Sequence, residues 1–255
     1  MVKGLERFRD YFRDYSRNYV IIGGTACNQL LDAADVRPRA TKDIDVILIV
    51  EALTDDFVKR FWEFVKAGQY ELWQTAVGAT RFYRFIKPAD KEFPAQIELF
   101  SRVPDMITLP ADAHLSPIPV GEELSSFSAI LLDDIYYKYA TEHGIILNDL
   151  NFLDRDALVL LKVKAYLNNI KRREQGEEVR SEDIYKHKKD IYRIVVTFQT
   201  GERFDITEEL KIDLREFIAR SRKEVLDTKN LSRELGVGEL SNEEFLNILE
   251  DLFML

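Results

Sequence analysis

The chain has 255 residues, with 36 Lys and Arg against 45 Asp and Glu for a net charge of −9, and is 46% hydrophobic and 32% charged. That balance excludes a fibrous or disordered chain, and the acidic excess argues against non-specific coating of nucleic acid, which needs a basic face. The single cysteine, Cys27, excludes an internal disulfide, and the longest apolar run, VILIV, is far short of the ~18 residues a membrane span needs. A soluble, cytoplasmic protein of one or two domains is expected, with no membrane partner.

The first predicted helix is Leu5 to Tyr15, where Leu5, Phe8, Tyr11, Phe12 and Tyr15 recur at spacings of three and four. YVIIGG then reads as a short buried strand ended by two glycines, and TACNQLLDAA as a helix with Thr25 near its start. After the loop DVRPRATK comes DIDVILIV, whose β-branched run predicts a central strand. A helix follows with Thr54 as N-cap and Phe57, Val58, Phe61, Trp62, Phe64 and Val65 as its buried stripe.

YELWQT, RFYRFIK and QIELFSR predict three further strands, separated by turns at Gly78 and in KPADKEFPA. Pro104 to Glu123 reads as an irregular connection, and SAILLDDIYYKYATEHGIILND as either two short strands or a helix and a strand. From Arg155 onward the pattern is helical, over DALVLLKVKAYLNN, SEDIYKHKKDIYRIVVTF, ITEELKIDLREFIARSRKEVL and SNEEFLNILEDLFML. The expected fold is α+β: a mixed sheet flanked by helices over residues 1–125, followed by a mainly helical domain over 126–255.

Two features carry chemistry. Asp43 and Asp45 start a predicted strand, and residues i and i+2 on a strand share a face, so the carboxylates sit side by side. Two such charges need a counter-ion, and oxygen ligands point to Mg²⁺ or Mn²⁺. Upstream, Gly23-Gly24-Thr25 leaves backbone N–H groups at a helix start, a setting that favours an anion such as a triphosphate, with Thr25 adding a hydroxyl. Together they describe a metal–nucleotide site.

Glu98, between Ile97 and Leu99 on a strand, faces away from its apolar neighbours and is the candidate third carboxylate, as ligand or base. The competing reading is a solvated or salt-bridged strand residue. Lys162 lies in ALVLLKVKAYL, apolar all round, where a lysine either needs an anion or snorkels to the surface. Arg39, beside Pro38, is either a phosphate clamp or a loop arginine.

The arrangement resembles the nucleotidyltransferase fold of the DNA polymerase β superfamily, with its GG or GS helix start, D-x-D strand and later carboxylate strand. Within it, Arg39-Ala40-Thr41-Lys42-Asp43-Ile44-Asp45 resembles the R-x-T-x-D-I-D element of the AbiEii/AbiGii toxin family. Lys162-Val163-Lys164-Ala165 is similar to that family's K-x-x-A helix, and Lys189-Asp190-Ile191-Tyr192 to its K-D-aromatic motif. This chain departs at Arg193, where the family usually has a second aspartate, and at Lys186 or His187, where it has an arginine.

The resemblance implies that Asp43 and Asp45 hold the metal and that Gly23, Gly24 and Thr25 hold a nucleoside triphosphate. It further implies that Lys162 contacts the phosphates and that Lys189 and Asp190 line the site. The implied activity is transfer of a nucleoside monophosphate to an acceptor such as RNA, by a toxin paired with an antitoxin or acting in phage defence. A small-molecule or protein hydroxyl is the alternative acceptor, and a non-catalytic member of the fold is the third reading.

Charge is uneven: Arg155 to Arg193 has 11 basic and 7 acidic residues, a local +4, whereas Asp205 to Leu255 has 7 basic and 13 acidic, a local −6. An RNA acceptor therefore predicts a basic strip over Lys162, Lys171, Arg172, Lys186 and Lys188. The competing reading of Lys171, Arg172 and Arg173 is the solvated end of a helix, where cations suit the dipole. His114, His143 and His187 lack zinc spacing, Cys27 reads as a small core residue, and G-x-S-x-G, P-loop and G-x-G-x-x-G motifs are missing from the sequence.

Overall fold

The computed structural model describes residues 3–38, 41–77, 80–101, 115–117 and 133–255. Its elements in chain order are α1 (Leu5–Phe12), β1 (Tyr19–Ile22), α2 (Gly23–Ala33), β2 (Asp43–Leu48), α3 (Asp55–Gly68), β3 (Glu71–Val77), β4 (Thr80–Ile86), β5 (Gln96–Ser101) and β6 (Leu115–Pro117). They continue with α4 (Asp134–Glu142), β7 (Gly144–Leu147), β8 (Leu150–Leu153), α5 (Arg155–Glu174), α6 (Ser181–Val195), α7 (Glu208–Lys223), α8 (Thr228–Leu235) and α9 (Asn242–Leu252). The fold is α+β, with one mixed sheet in the order β6-β3-β4-β5-β2-β1-β8-β7 and a helical C-terminal part.

Two compact units make up the chain, one of Met1–Gln29 with Ala40–Asp154, the other of Leu30–Arg39 with Arg155–Leu255. The sequence expectation put the boundary at 125/126; the units part instead at Asp154 and Arg155. The reason lies in β8, whose four residues are all buried and which runs parallel to β1 with Ile21 opposite Phe152. Asn151 secures it, its amide donating to the carbonyls of Ser16 and Tyr19 at 3.0 Å each.

In the first unit, alternation along the strands sorts the sheet into two chemically distinct faces. Phe85 on β4 is in register with Ile97 on β5, and Ile97 with Ile44 on β2. Phe85 meets Phe61 of α3 edge-on at 5.3 Å, so this row faces α3. Phe12 joins the same aromatic cluster from α1, 5.2 Å from Phe64 and 5.8 Å from Phe57. α3 starts as expected, with Thr54 accepting from the Phe57 N–H at 3.2 Å, and ends at Gln69 in the left-handed region. Its stripe differs only at Val58, which is half-buried.

The other row, Asp43, Asp45, Gln96, Glu98 and Arg84, therefore points to the opposite face of the sheet. Packing of the aromatic cluster thus fixes the register that gathers these polar side chains.

In the second unit, α5 is buried along nearly its whole length and α6 and α7 pack against it. α9 begins with a complete capping box, Ser241 and Glu244 each bonding the other's backbone N–H. α8 was not foreseen; Asp227 caps it by accepting from the Asn230 N–H at 3.2 Å, and Gly236 ends it at φ 74. Among the described residues, no helix is long and apolar enough to cross a membrane.

Candidate functional site

β1 runs into α2 without a loop, Ile22 being followed at once by Gly23, the first helical residue. Gly23 has φ +69, a conformation L side chains avoid, and a Cβ there would collide with Asp45 Oδ2. Both demands trace to one geometry. Asp45 is in register with Ile22, so its carboxylate lies over the first turn of α2, where unsatisfied backbone N–H groups and the helix dipole favour negative charge. Thr25, fully buried, donates its hydroxyl to the Asp43 carbonyl at 2.5 Å. Its proton ties α2 to β2 and positions the aspartates; it is not held out for a phosphate.

The second feature is a lateral row across three strands. Asp45 on β2 is opposite Glu98 on the parallel β5, and Glu98 is opposite Arg84 on the antiparallel β4. Asp45, Glu98 and Arg84 are 9%, 6% and 8% exposed. Glu98 Oε1 accepts from Arg84 Nε at 3.0 Å and from Gln96 Nε2 at 2.9 Å. Across the β2–β5 ladder Glu98 is paired with Asp45 on the same face. Burial pushes the Glu98 carboxyl above the ordinary range; Arg84 pulls it back, the Asp43 charge raises it further, and the hydrogen bond to Arg84 lowers it. Two carboxyl groups so paired share a proton unless a cation replaces it.

Among the described residues, no three His, Cys, Asp or Glu side chains converge as a ready-made metal cage. The oxygen donors present are the half-buried Asp43 and the buried Asp45. That donor set fits Mg²⁺ or Mn²⁺, which take one or two carboxylates and complete their shell with water and substrate phosphate. Glu98 matches the salt-bridged reading of the sequence, its partner Arg84 having gone unrecognised. The strand pattern Gln96-Ile97-Glu98 did carry a signal, two polar residues at i and i+2; the link to Arg84 depends on strand order, which one strand's sequence does not reveal.

The second unit holds the remaining candidates. Lys162 is 2% exposed and its Nζ donates to Asp190 Oδ2 at 2.7 Å; Asp190 Oδ1 accepts from Arg193 at 3.1 Å. The anion this embedded lysine needs is therefore supplied by α6. Arg193, standing where the resembled family has an aspartate, is the second cation on Asp190. Lys189 is exposed beside it. Arg39 lies outside the described residues. A cavity of about 350 Å³ lined by apolar residues such as Val195 and Phe198 and by Gln199, Arg203 and Asp251 belongs to this unit as well, and its walls contain none of the predicted site residues.

The basic strip is a correction in part. Lys188 is fully buried and donates to the Glu224 carbonyl, so it is not a surface phosphate contact. Lys186 bonds Asp183 at 3.1 Å and Arg172 bonds Glu177 at 2.7 Å, both inside the unit. Lys171 and Arg173 are exposed at the end of α5.

No family model matches the chain, and no curated protein matches it. A solved structure similar to it is the crystal structure of an antigenic nucleotidyltransferase-like protein from Paracoccidioides brasiliensis, at 14% identity and a TM-score of 0.39 over 89% of this chain and 94% of that one. A likeness that loose carries no argument, and the site stands on this chain's own residues.

Three outcomes follow from this geometry. Gly23→Ala should destabilise the first unit by about 1–3 kcal/mol from backbone strain alone, and displace Asp45 besides. Gly238→Ala, where an added Cβ meets nothing within 4 Å, should leave the urea midpoint unchanged. Lys162→Ala should cost about 3–5 kcal/mol by leaving Asp190 underpaired, and the neutral pair Lys162→Met with Asp190→Asn should recover most of that in denaturant titrations.

The third concerns Lys188, whose amine burial pushes down to about 8 from 10.5, with the Glu224 charge opposing. A lysine depressed in the folded state binds fewer protons there than when unfolded. Its penalty is thus full below about pH 8 and relieved as pH rises toward 10.5. Stability measured from pH 8 to 10 should rise in wild type relative to Lys188→Met.

Proposed function

We propose that the first unit is a metal-dependent nucleotidyl-transfer centre of the polymerase β-like kind, and that the protein acts as an AbiEii-type toxin. The observation that carries this reading is the placement of the Asp45 carboxylate against Gly23 at the positive end of α2, with Asp43 on the same strand face. Carboxylates for a divalent cation and backbone N–H groups for a triphosphate thus meet at one place.

Asp43 and Asp45 would hold Mg²⁺, whose chemistry there is Lewis-acid polarisation of a phosphoryl oxygen. Gly23 and Gly24 would offer backbone N–H groups to the triphosphate, with Thr25 holding the turn on β2. An acceptor hydroxyl oxygen would then form a bond to the α-phosphorus while the bond from that phosphorus to the bridging oxygen of the β-phosphate breaks. Pyrophosphate leaves with those electrons, and the hydroxyl proton passes to solvent. The toxin role rests on the sequence motifs alone.

RNA is the acceptor those motifs favour. A small-molecule or protein hydroxyl is the second reading, favoured by one observation: the buried Lys188 and the internally paired Lys186 and Arg172 leave the expected basic strip interrupted.

The test is transfer from each α-labelled nucleoside triphosphate with Mg²⁺, offered total RNA or an RNA-free lysate. Label should enter an acceptor with wild type, and Asp43→Asn or Asp45→Asn should lower it at least about a hundredfold, roughly 2.7 kcal/mol, while thermal stability is kept or raised. Either variant within tenfold of wild type would overturn the reading. Label in RNA that is insensitive to Lys171→Ala with Arg173→Ala, and to salt, would count against phosphate contacts at that helix end.

A further inference from the structure

We propose that β7 is an open sheet edge on which a second copy of this chain pairs, strand against antiparallel strand, to form a transient twofold dimer. The proposal rests on backbone geometry and is independent of the reading of the aspartate site.

β7 is the end strand of the sheet, paired with β8 on one side and, among the described residues, with no strand on the other. The turn between them, Asn148-Asp149, has φ 49 and 64, the two-residue type I′ geometry that closes a hairpin on a hydrogen-bonded pair, here Leu147 with Leu150. Bonded and non-bonded pairs alternate along an antiparallel ladder. Leu147, Ile145 and His143 therefore bond toward β8, and the Asp154 N–H accordingly donates to the His143 carbonyl at 2.9 Å. Gly144 and Ile146 turn their backbone N–H and C=O groups to the open side.

That edge is unguarded. Sheets ordinarily protect a free edge with a charge, a proline or a bulge. β6, the end strand at the other side of this sheet, is 3 residues long and ends on Pro117, which has no N–H to offer. β7 reads Gly144-Ile145-Ile146-Leu147, with neither charge nor proline, and Ile146 is 58% exposed.

A second copy is the occupant because the strand is complementary to itself. With Ile145 opposite Ile145 of the second copy on a twofold axis, Gly144 of each copy falls opposite Ile146 of the other, and each such pair exchanges its outward N–H and C=O groups. The exposed Ile146 side chain then lies beside a residue that has none. The two Ile145 residues form a β-branched cross-strand pair of the kind sheets favour. The strand carries no charge, so no like charges face one another. With 4 residues a side, the contact falls below the roughly 1,200 Å² of a standard interface, which makes the dimer transient.

The test traps this register. Ile145→Cys would set two sulfurs across a non-bonded pair, where Cα atoms lie about 4.5 Å apart and a disulfide can close. Ile212→Cys, replacing an isoleucine 60% exposed in the second unit, is the collision control, and Cys27 is buried in both. Ile146→Pro, alone and combined with Ile145→Cys, removes an outward N–H and leaves the β7–β8 bonds in place. Circular dichroism confirms that each variant is folded. Wild type is followed by sedimentation in ~0.15 M salt, which screens the −9 charge of each copy.

The expected result is a wild-type mass that rises from monomer toward dimer between micromolar and millimolar concentration, and a monomer throughout for Ile146→Pro. On mild oxidation Ile145→Cys should form its disulfide dimer at least about tenfold faster than Ile212→Cys, an advantage that Ile146→Pro removes. A wild type that stays monomeric to millimolar concentration would overturn the proposal. So would a dimer indifferent to Ile146→Pro, or cross-linking of Ile145→Cys no faster than the control.

Discussion

Two carboxyl groups on neighbouring parallel strands, Asp45 and Glu98, lie opposite one another in the interior of the first unit. Like charges at that spacing, out of water, do not both stay ionised without a cation nearby. Arg84 supplies one to Glu98. The start of α2 contributes its dipole and backbone N–H groups beside Asp45, and Gly23 supplies the space. The rest of the unit's polar architecture answers this single difficulty. Thr25 straps the helix start to β2, Gln96 completes the bonding of Glu98, and the aromatic cluster of α1 and α3 on the opposite face holds the strands in the register that brings the groups together.

The same physics recurs in the second unit with a different solution. Lys162, buried in an apolar helix, is matched by Asp190 from α6, and Arg193 covers the second oxygen. A buried charge there is balanced by a side chain of the same unit, so the residue needs no ligand to justify its position. Lys188, equally buried, donates to the Glu224 backbone carbonyl, and burial depresses its amine against the opposing Glu224 charge. Lys162 was a candidate for phosphate contact because a cation in an apolar helix demands an anion, and Lys188 as part of the expected basic strip. The structure supplies a partner to each from within the unit.

What was legible in the sequence was local. The strand YVII, the glycines at the head of α2 and the D-x-D of β2 are contiguous, and their periodicity states which side chains share a face. Thr54 and the stripe of α3 were readable for the same reason. The hairpin β7–β8 was read only as far as β7, since β8 is the short run LNFL after a turn at Asn148 and Asp149, both at positive φ, and its partner β1 lies far upstream in the chain. α8 is short, with its apolar face only two turns long. Arg84 was passed over because a lone arginine in RFYRFIK gains meaning only from the strand beside it.

The central claim is that Asp43 and Asp45 hold a divalent cation at the head of α2. Crystals grown with Mn²⁺ and a non-hydrolysable nucleoside triphosphate, measured at the manganese absorption edge, address it most directly. The account predicts an anomalous peak about 2 Å from a carboxylate oxygen of each aspartate, with the phosphates at the Gly23-Gly24 turn. A peak away from Asp43 and Asp45 would contradict it.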